Sequence, residues 1–216
     1  MPDNLTLLQK NILATLAKAE PAPVLFGGAA LLGTGLQHRH TRDLNLLWQP
    51  CDDLSEMALQ VDYLLRKAGY DPRWLQRAPW HQRTVVESDG EQLVVDLVAH
   101  PGAATRRLTT LQLGETAVQV LRWPDILADK LAALLGRQEG RDLHDVMELL
   151  GHGLDLGDGL VGAAEIDGGF SAMTLAWVLR TWPMPAVAKA AGWNADLAAT
   201  MAQFRDELVG RLTSLI

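Results

Sequence analysis

The sequence predicts an α+β protein: a mixed sheet flanked by helices over residues 1–122, then a helical region over residues 123–216 that packs on it. Three observations predict it. Short apolar or alternating runs with the two-residue period of strands occur before residue 122. Runs with apolar residues three and four apart flank them and take over after Trp123. The pair Asp89-Gly90 separates two strand-like runs, which is a strong hairpin signal.

The elements follow in order. Leu5 to Ala17 places Leu5, Leu8, Ile12, Leu13 and Leu16 on one helical face. Pro21 and Pro23 lie beyond its end. Val24 to Phe26 is a short apolar run that stops at Gly27-Gly28, and Ala29 to Leu36 reads as a helix weakened by Gly33 and Gly35. Asp43 to Trp48 begins with alternation and reads as a strand. Asp52 or Asp53 is placed to cap a helix that runs to about Ala68 and stops at Gly69. Arg73 to Arg77, Arg83 to Glu87, Gln92 to Ala99 and Gln112 to Leu121 read as strands. Pro124 suits a first helical turn, with a helix on to Leu135 and a second over Arg141 to Leu150. The glycine-rich stretch 151–169 is expected to hold at most a short helix. Ser171 to Arg180 and Asn194 to Leu215 are helical again.

Composition narrows the function classes. At 48% hydrophobic and 21% charged residues the chain can bury a core and does not resemble a disordered one. No apolar stretch approaches the roughly 20 residues that span a bilayer, so no membrane partner is expected. The start, MPDNLTLLQK, lacks the basic, apolar and cleavage regions of a signal peptide. Cys51 is the single cysteine, which excludes an internal disulfide and a multi-thiolate metal site, and a cytoplasmic location is expected. A net charge of −7 argues against non-specific coating of nucleic acid. A local basic groove from Arg39, Arg42, Arg73, Arg77, Arg83, Arg106 and Arg107 stays open beside their reading as solvated surface charges.

Three segments carry chemistry. Phe26-Gly27-Gly28-Ala29-Ala30 is a strand, a glycine pair and a helix start, a geometry that can seat phosphate but also serves ordinary turns. In Thr41-Arg42-Asp43-Leu44-Asn45-Leu46, Asp43 and Asn45 fall on one face of a strand; their oxygens suit Mg²⁺, or simply face solvent. Asp96 sits inside the apolar strand Leu93-Val94-Val95-Asp96-Leu97-Val98. A carboxylate there needs a metal, a cleft, or an arginine to pair with.

Together, strand-Gly-Gly-helix, Asp-x-Asx on the next strand and Asp on a later one resemble the polymerase-β-like nucleotidyltransferase fold. Farther on, Asp125 to Arg137 with Lys130 inside it, followed by Arg141-Asp142-Leu143-His144-Asp145, resembles the AbiEii/AbiGii-type toxin nucleotidyltransferases, over residues of about 24 to 150. The resemblance implies Asp43 and Asp96 as catalytic residues and Asp43, Asn45 and Asp96 as metal ligands. It implies Gly27, Gly28, Arg39, Thr41, Lys130 and Asp142 at the nucleotide. It further implies Mg²⁺ or Mn²⁺, an NTP substrate, an RNA, protein or small-molecule hydroxyl as acceptor, and an antitoxin partner. Asn45 departs from the pattern, because the family expects an acid there and a neutral amide weakens the hold on a divalent ion. Two rival readings therefore stand: a degenerate module that binds nucleotide or a partner, and a metal-free interaction protein in which Asp43 and Asp96 pair with arginines.

Overall fold

A computed structural model describes residues 5–101 and 106–215; residues 1–4, 102–105 and 216 lie outside the description. The chain divides into two compact units, Met1–Arg122 and Trp123–Ile216.

The first unit holds α1 (Leu7–Leu16), β1 (Val24–Phe26), α2 (Gly27–Gly33), β2 (Asp43–Trp48), α3 (Ser55–Lys67), β3 (Arg73–Arg77), β4 (His81–Ser88), β5 (Glu91–Ala99), β6 (Leu108–Leu113) and β7 (Thr116–Leu121). The strands form one seven-stranded mixed sheet in the order β3-β4-β5-β2-β1-β7-β6. β1 pairs parallel with β7, and β2 parallel with β5; the other neighbours run antiparallel. Leu25, Leu44, Leu46, Val86, Val95, Leu97 and Val120 are buried, as are Ile12, Leu13 and Leu16 of α1 and Val61 and Leu65 of α3. At the start of β2 the period of two sends Leu44 and Leu46 into the core and leaves Asp43 and Asn45 half-buried on the opposite face.

Local sequence explains the ends. α1 opens with a capping box, Thr6 and Gln9. Asp89 and Gly90 both take positive φ, which closes the β4–β5 hairpin in two residues. The residue before α3 is Leu54, not an aspartate; Asp53 instead accepts the backbone N–H of Ser55 at 2.8 Å. The run expected as one strand over Gln112 to Leu121 is a hairpin, since Gly114, with φ +60, turns β6 into β7.

The second unit is helical: α4 (Trp123–Gly136), α5 (Gly140–Gly151), α6 (Leu156–Ile166), α7 (Ala172–Arg180), α8 (Met184–Ala191) and α9 (Ala195–Thr213). The glycine-rich stretch carries the whole of α6, capped by Asp155 accepting from the N–H of Asp158. Two of the glycines in it, Gly159 and Gly162, serve helix packing. A Cβ on Gly159 would lie 2.9 Å from Leu127 and Leu131, and one on Gly162 would lie 2.8 Å from the Cβ of Ala128 on α4. The sequence reading gives no helix at α8, which starts after Pro183 and ends at Gly192 in the left-handed conformation. Trp182 is buried and Trp177 is exposed.

Gly162→Ala tests the packing role. Helix propensity alone would stabilise α6 by up to about 1 kcal/mol. Overpacking against Ala128 should outweigh it, for a net loss of about 1–2 kcal/mol in denaturant unfolding. Unchanged or raised stability would contradict the close approach of α4 and α6.

Candidate functional site

The turn from β1 into α2 is built around two glycines. Gly27 has φ +70, and a Cβ there would stand 3.2 Å from Asn45 Nδ2. A Cβ on Gly28 would stand 2.7 Å from Arg39 Nη2 and 3.3 Å from Thr41 Oγ1. The turn is therefore bare backbone with Arg39, Thr41 and Asn45 around it. Any side chain at either position would be strained or would displace one of them.

Thr41 is buried, and its hydroxyl donates to Asp43 Oδ1, which orients that carboxylate at the start of β2. Its carbonyl accepts from the side chain of Gln9 at 3.0 Å. Gln9 also accepts the N–H of Thr6 at 2.9 Å, so the residue that caps α1 also fixes the loop before β2. Sequence reasoning missed Gln9, although its place three residues after Thr6 is the signal of a capping box.

Asn45 lies between Phe26 on β1 and Asp96 on β5 in the strand register. Asp43 is two residues from Asn45 on the same strand. Asp43, Asn45 and Asp96 thus share one face of the sheet, while Leu44, Leu46, Val95 and Leu97 go to the other.

Asp96 meets an arginine. Arg83, directly opposite it on β4, donates through Nε to Oδ1 at 2.8 Å and through Nη2 to Oδ2 at 3.1 Å. His81 Nε2 lies 2.7 Å from Oδ1. The Asp96 side chain is 5% exposed and that of Arg83 43%. The hydrogen bonds to Asp96 push the Arg83 guanidinium further up from its ordinary value, against a lowering by burial, and the charges of Asp96 and Asp43 add to the rise. Neither His81 nor Arg83 stands out as a site residue from sequence. The signal is present, because a two-residue turn at Asp89-Gly90 puts Ser88 opposite Glu91 and hence Arg83 opposite Asp96.

These residues fit a pair of divalent ions poorly. Asn45 brings no charge, and both oxygens of Asp96 are already taken by Arg83 and His81. They fit one ion that arrives on a triphosphate, since Mg²⁺ commonly uses one or two protein oxygens and fills its shell with phosphate and water. Asp43, with the amide oxygen of Asn45, offers that much.

In the second unit, Lys130 on α4 reaches Asp142 and Asp145 in the first turns of α5. Its Nζ lies 2.5 Å from Asp142 Oδ1 and 2.7 Å from Asp145 Oδ2, and Arg137 Nε is 2.7 Å from Asp142 Oδ2. The Lys130 side chain is 8% exposed and both aspartates 0%, so the charges compensate one another in a buried network. Among the described residues, no helix is long and apolar enough to cross a membrane.

A family model described as nucleotidyl transferase AbiEii toxin, type IV TA system, matches residues 11–208. No curated protein matches the chain. Among solved structures, a candidate nucleotidyltransferase from H. pylori is similar with a TM-score of 0.58 and 17% identity, over 97% of this chain and 95% of that one. JHP933 from Helicobacter pylori gives 0.55 and 17%, over 96% and 91%. An antigenic nucleotidyltransferase-like protein from Paracoccidioides brasiliensis gives 0.52 and 18%, over 88% and 95%. At these identities the likeness shows the fold.

Lys130→Met should cost about 3–5 kcal/mol in denaturant unfolding, because it removes the cation that lies between two buried carboxylates. A loss below about 1 kcal/mol would contradict a buried, mutually compensated network.

Proposed function

The chain belongs to the nucleotidyl transferase AbiEii toxin family, and we propose that it moves a nucleoside monophosphate from an NTP to the hydroxyl of an RNA, protein or small-molecule acceptor. The observation that carries the proposal is the bare glycine turn at Gly27-Gly28, ringed by Arg39, Thr41, Asp43 and Asn45.

Each residue then has a task. The glycine turn lets phosphate oxygens come close to the backbone. Arg39, beside Gly28, gives charged donors to the same oxygens. Thr41 holds the Asp43 carboxylate towards the ligand. When bound, a divalent ion supplies charge neutralisation on the triphosphate and polarises the phosphorus; Asp43 and Asn45 are the residues that would hold it. The attacking hydroxyl oxygen forms its bond to the α-phosphorus as the bond to the β-phosphate oxygen breaks; pyrophosphate leaves and the hydroxyl proton passes to water. As a member of a toxin family the chain is expected to be paired with an antitoxin.

A second reading is a catalytically weak module that binds nucleotide or a partner. It is favoured by Asn45 in place of an acid and by Arg83 on Asp96. Transfer of radiolabelled nucleotide separates the readings. Wild-type transfer should be slow and Asn45→Asp should raise it by about tenfold, the factor that roughly 1.4 kcal/mol of barrier provides. Asp43→Asn should abolish it. Rapid wild-type transfer that Asn45→Asp leaves unchanged would overturn this account of the site.

A further inference from the structure

On the sheet face that carries Asp43 and Asn45, the Asp96–Arg83 pair has donors to spare. Arginine carries five N–H donors. Arg83 spends Nε and one Nη2 hydrogen on Asp96, and it makes no other hydrogen bond among the described residues. Its remaining donors are on a side chain that is 43% exposed, while its anchor is 5% exposed. A bidentate clamp on a buried carboxylate fixes the plane of a guanidinium and makes its free edge a rigid, charged fork suited to phosphate oxygens. That fork stands on the same face as Asp43 and Asn45: Arg83 is opposite Asp96, and Asp96 is beside Asn45.

We propose that Asp96 is the anchor of Arg83 rather than a metal ligand, and that Arg83 grips the nucleotide's phosphates as a fixed cation where a second divalent ion would otherwise stand. The site then takes a single divalent ion, at Asp43. This rests on the nucleotide-binding reading given above. Two features support the substitution of arginine for an ion. The guanidinium already neutralises Asp96, so an ion there would have to displace it. The unit also keeps a positive charge on this face where Asn45 has removed a negative one, so a triphosphate with one ion meets a balanced site.

The test uses the full chain and non-hydrolysable α,β-methylene NTPs. Calorimetry would be run in EDTA and in saturating Mg²⁺, and bound Mn²⁺ would be counted by electron paramagnetic resonance with the analogue present. Wild type should bind one Mn²⁺ per chain, and Asp96→Asn should leave that count unchanged. Arg83→Gln should weaken analogue binding at least about tenfold, in EDTA as well as in Mg²⁺, as expected for loss of charge-assisted hydrogen bonds to phosphate. Arg83→Lys keeps a cation beside Asp96 but loses the fork, so it should also bind more weakly while unfolding at a temperature close to wild type. It therefore guards against a simple folding defect. Two Mn²⁺ in wild type, or the loss of one in Asp96→Asn, would overturn the proposal. So would wild-type affinity in a folded Arg83→Lys. If wild type binds no analogue under any condition, the nucleotide reading itself fails and this inference with it. If wild type binds and both arginine variants bind equally well, this inference alone fails.

Discussion

The site depends on one constraint, the parallel register of β2 on β5. It sets Asn45 beside Asp96 and Leu46 beside Leu97, and alternation does the rest. A shift of one residue would turn Asp43 and Asn45 into the core layer now filled by Leu44 and Leu46, and would carry those leucines to the opposite face. The cost of burying those polar groups, together with the apolar burial lost by Leu44 and Leu46, keeps the register in place. The same constraint passes through β1, whose Phe26 pairs with Asn45, to the glycine turn that follows it at once.

Buried charge is handled in two ways in this molecule. In the helical unit, Lys130 and Arg137 lie against Asp142 and Asp145, whose side chains are fully buried. On the sheet, Asp96 is balanced by Arg83 with His81 beside it, but Arg83 is half-exposed and directs further donors outward. The first arrangement holds α4 to α5. The second holds a cation ready on a face that also carries Asp43. Removing one partner is costly in either place, since an uncompensated buried carboxylate is among the more expensive groups in a protein interior.

Much of this was legible in the sequence. The alternation from Asp43 to Trp48, the apolar run around Asp96, and the Asp89-Gly90 turn each carry their period or turn chemistry locally, and the fold class followed from them. The order of motifs was enough to recognise the family that the residue 11–208 match shows. What stayed hidden depends on distant contacts. Arg83 read as one surface arginine among several, because its role comes from a cross-strand partner thirteen residues away. Glycines 159 and 162 read as loop residues, because nothing local tells a flexible glycine from one pressed against a neighbouring helix. α8 was too short, at eight residues, for its period to stand out between Pro183 and Gly192.

The central claim is that nucleotide docks at the glycine turn and the start of β2. Hydrogen–deuterium exchange with and without an NTP analogue and Mg²⁺ tests it most directly. The account predicts slower exchange in peptides covering residues 26–30 and 39–46, with strand β7 unchanged. Exchange at the glycine turn that is the same with and without nucleotide, while protection appears elsewhere, would contradict it.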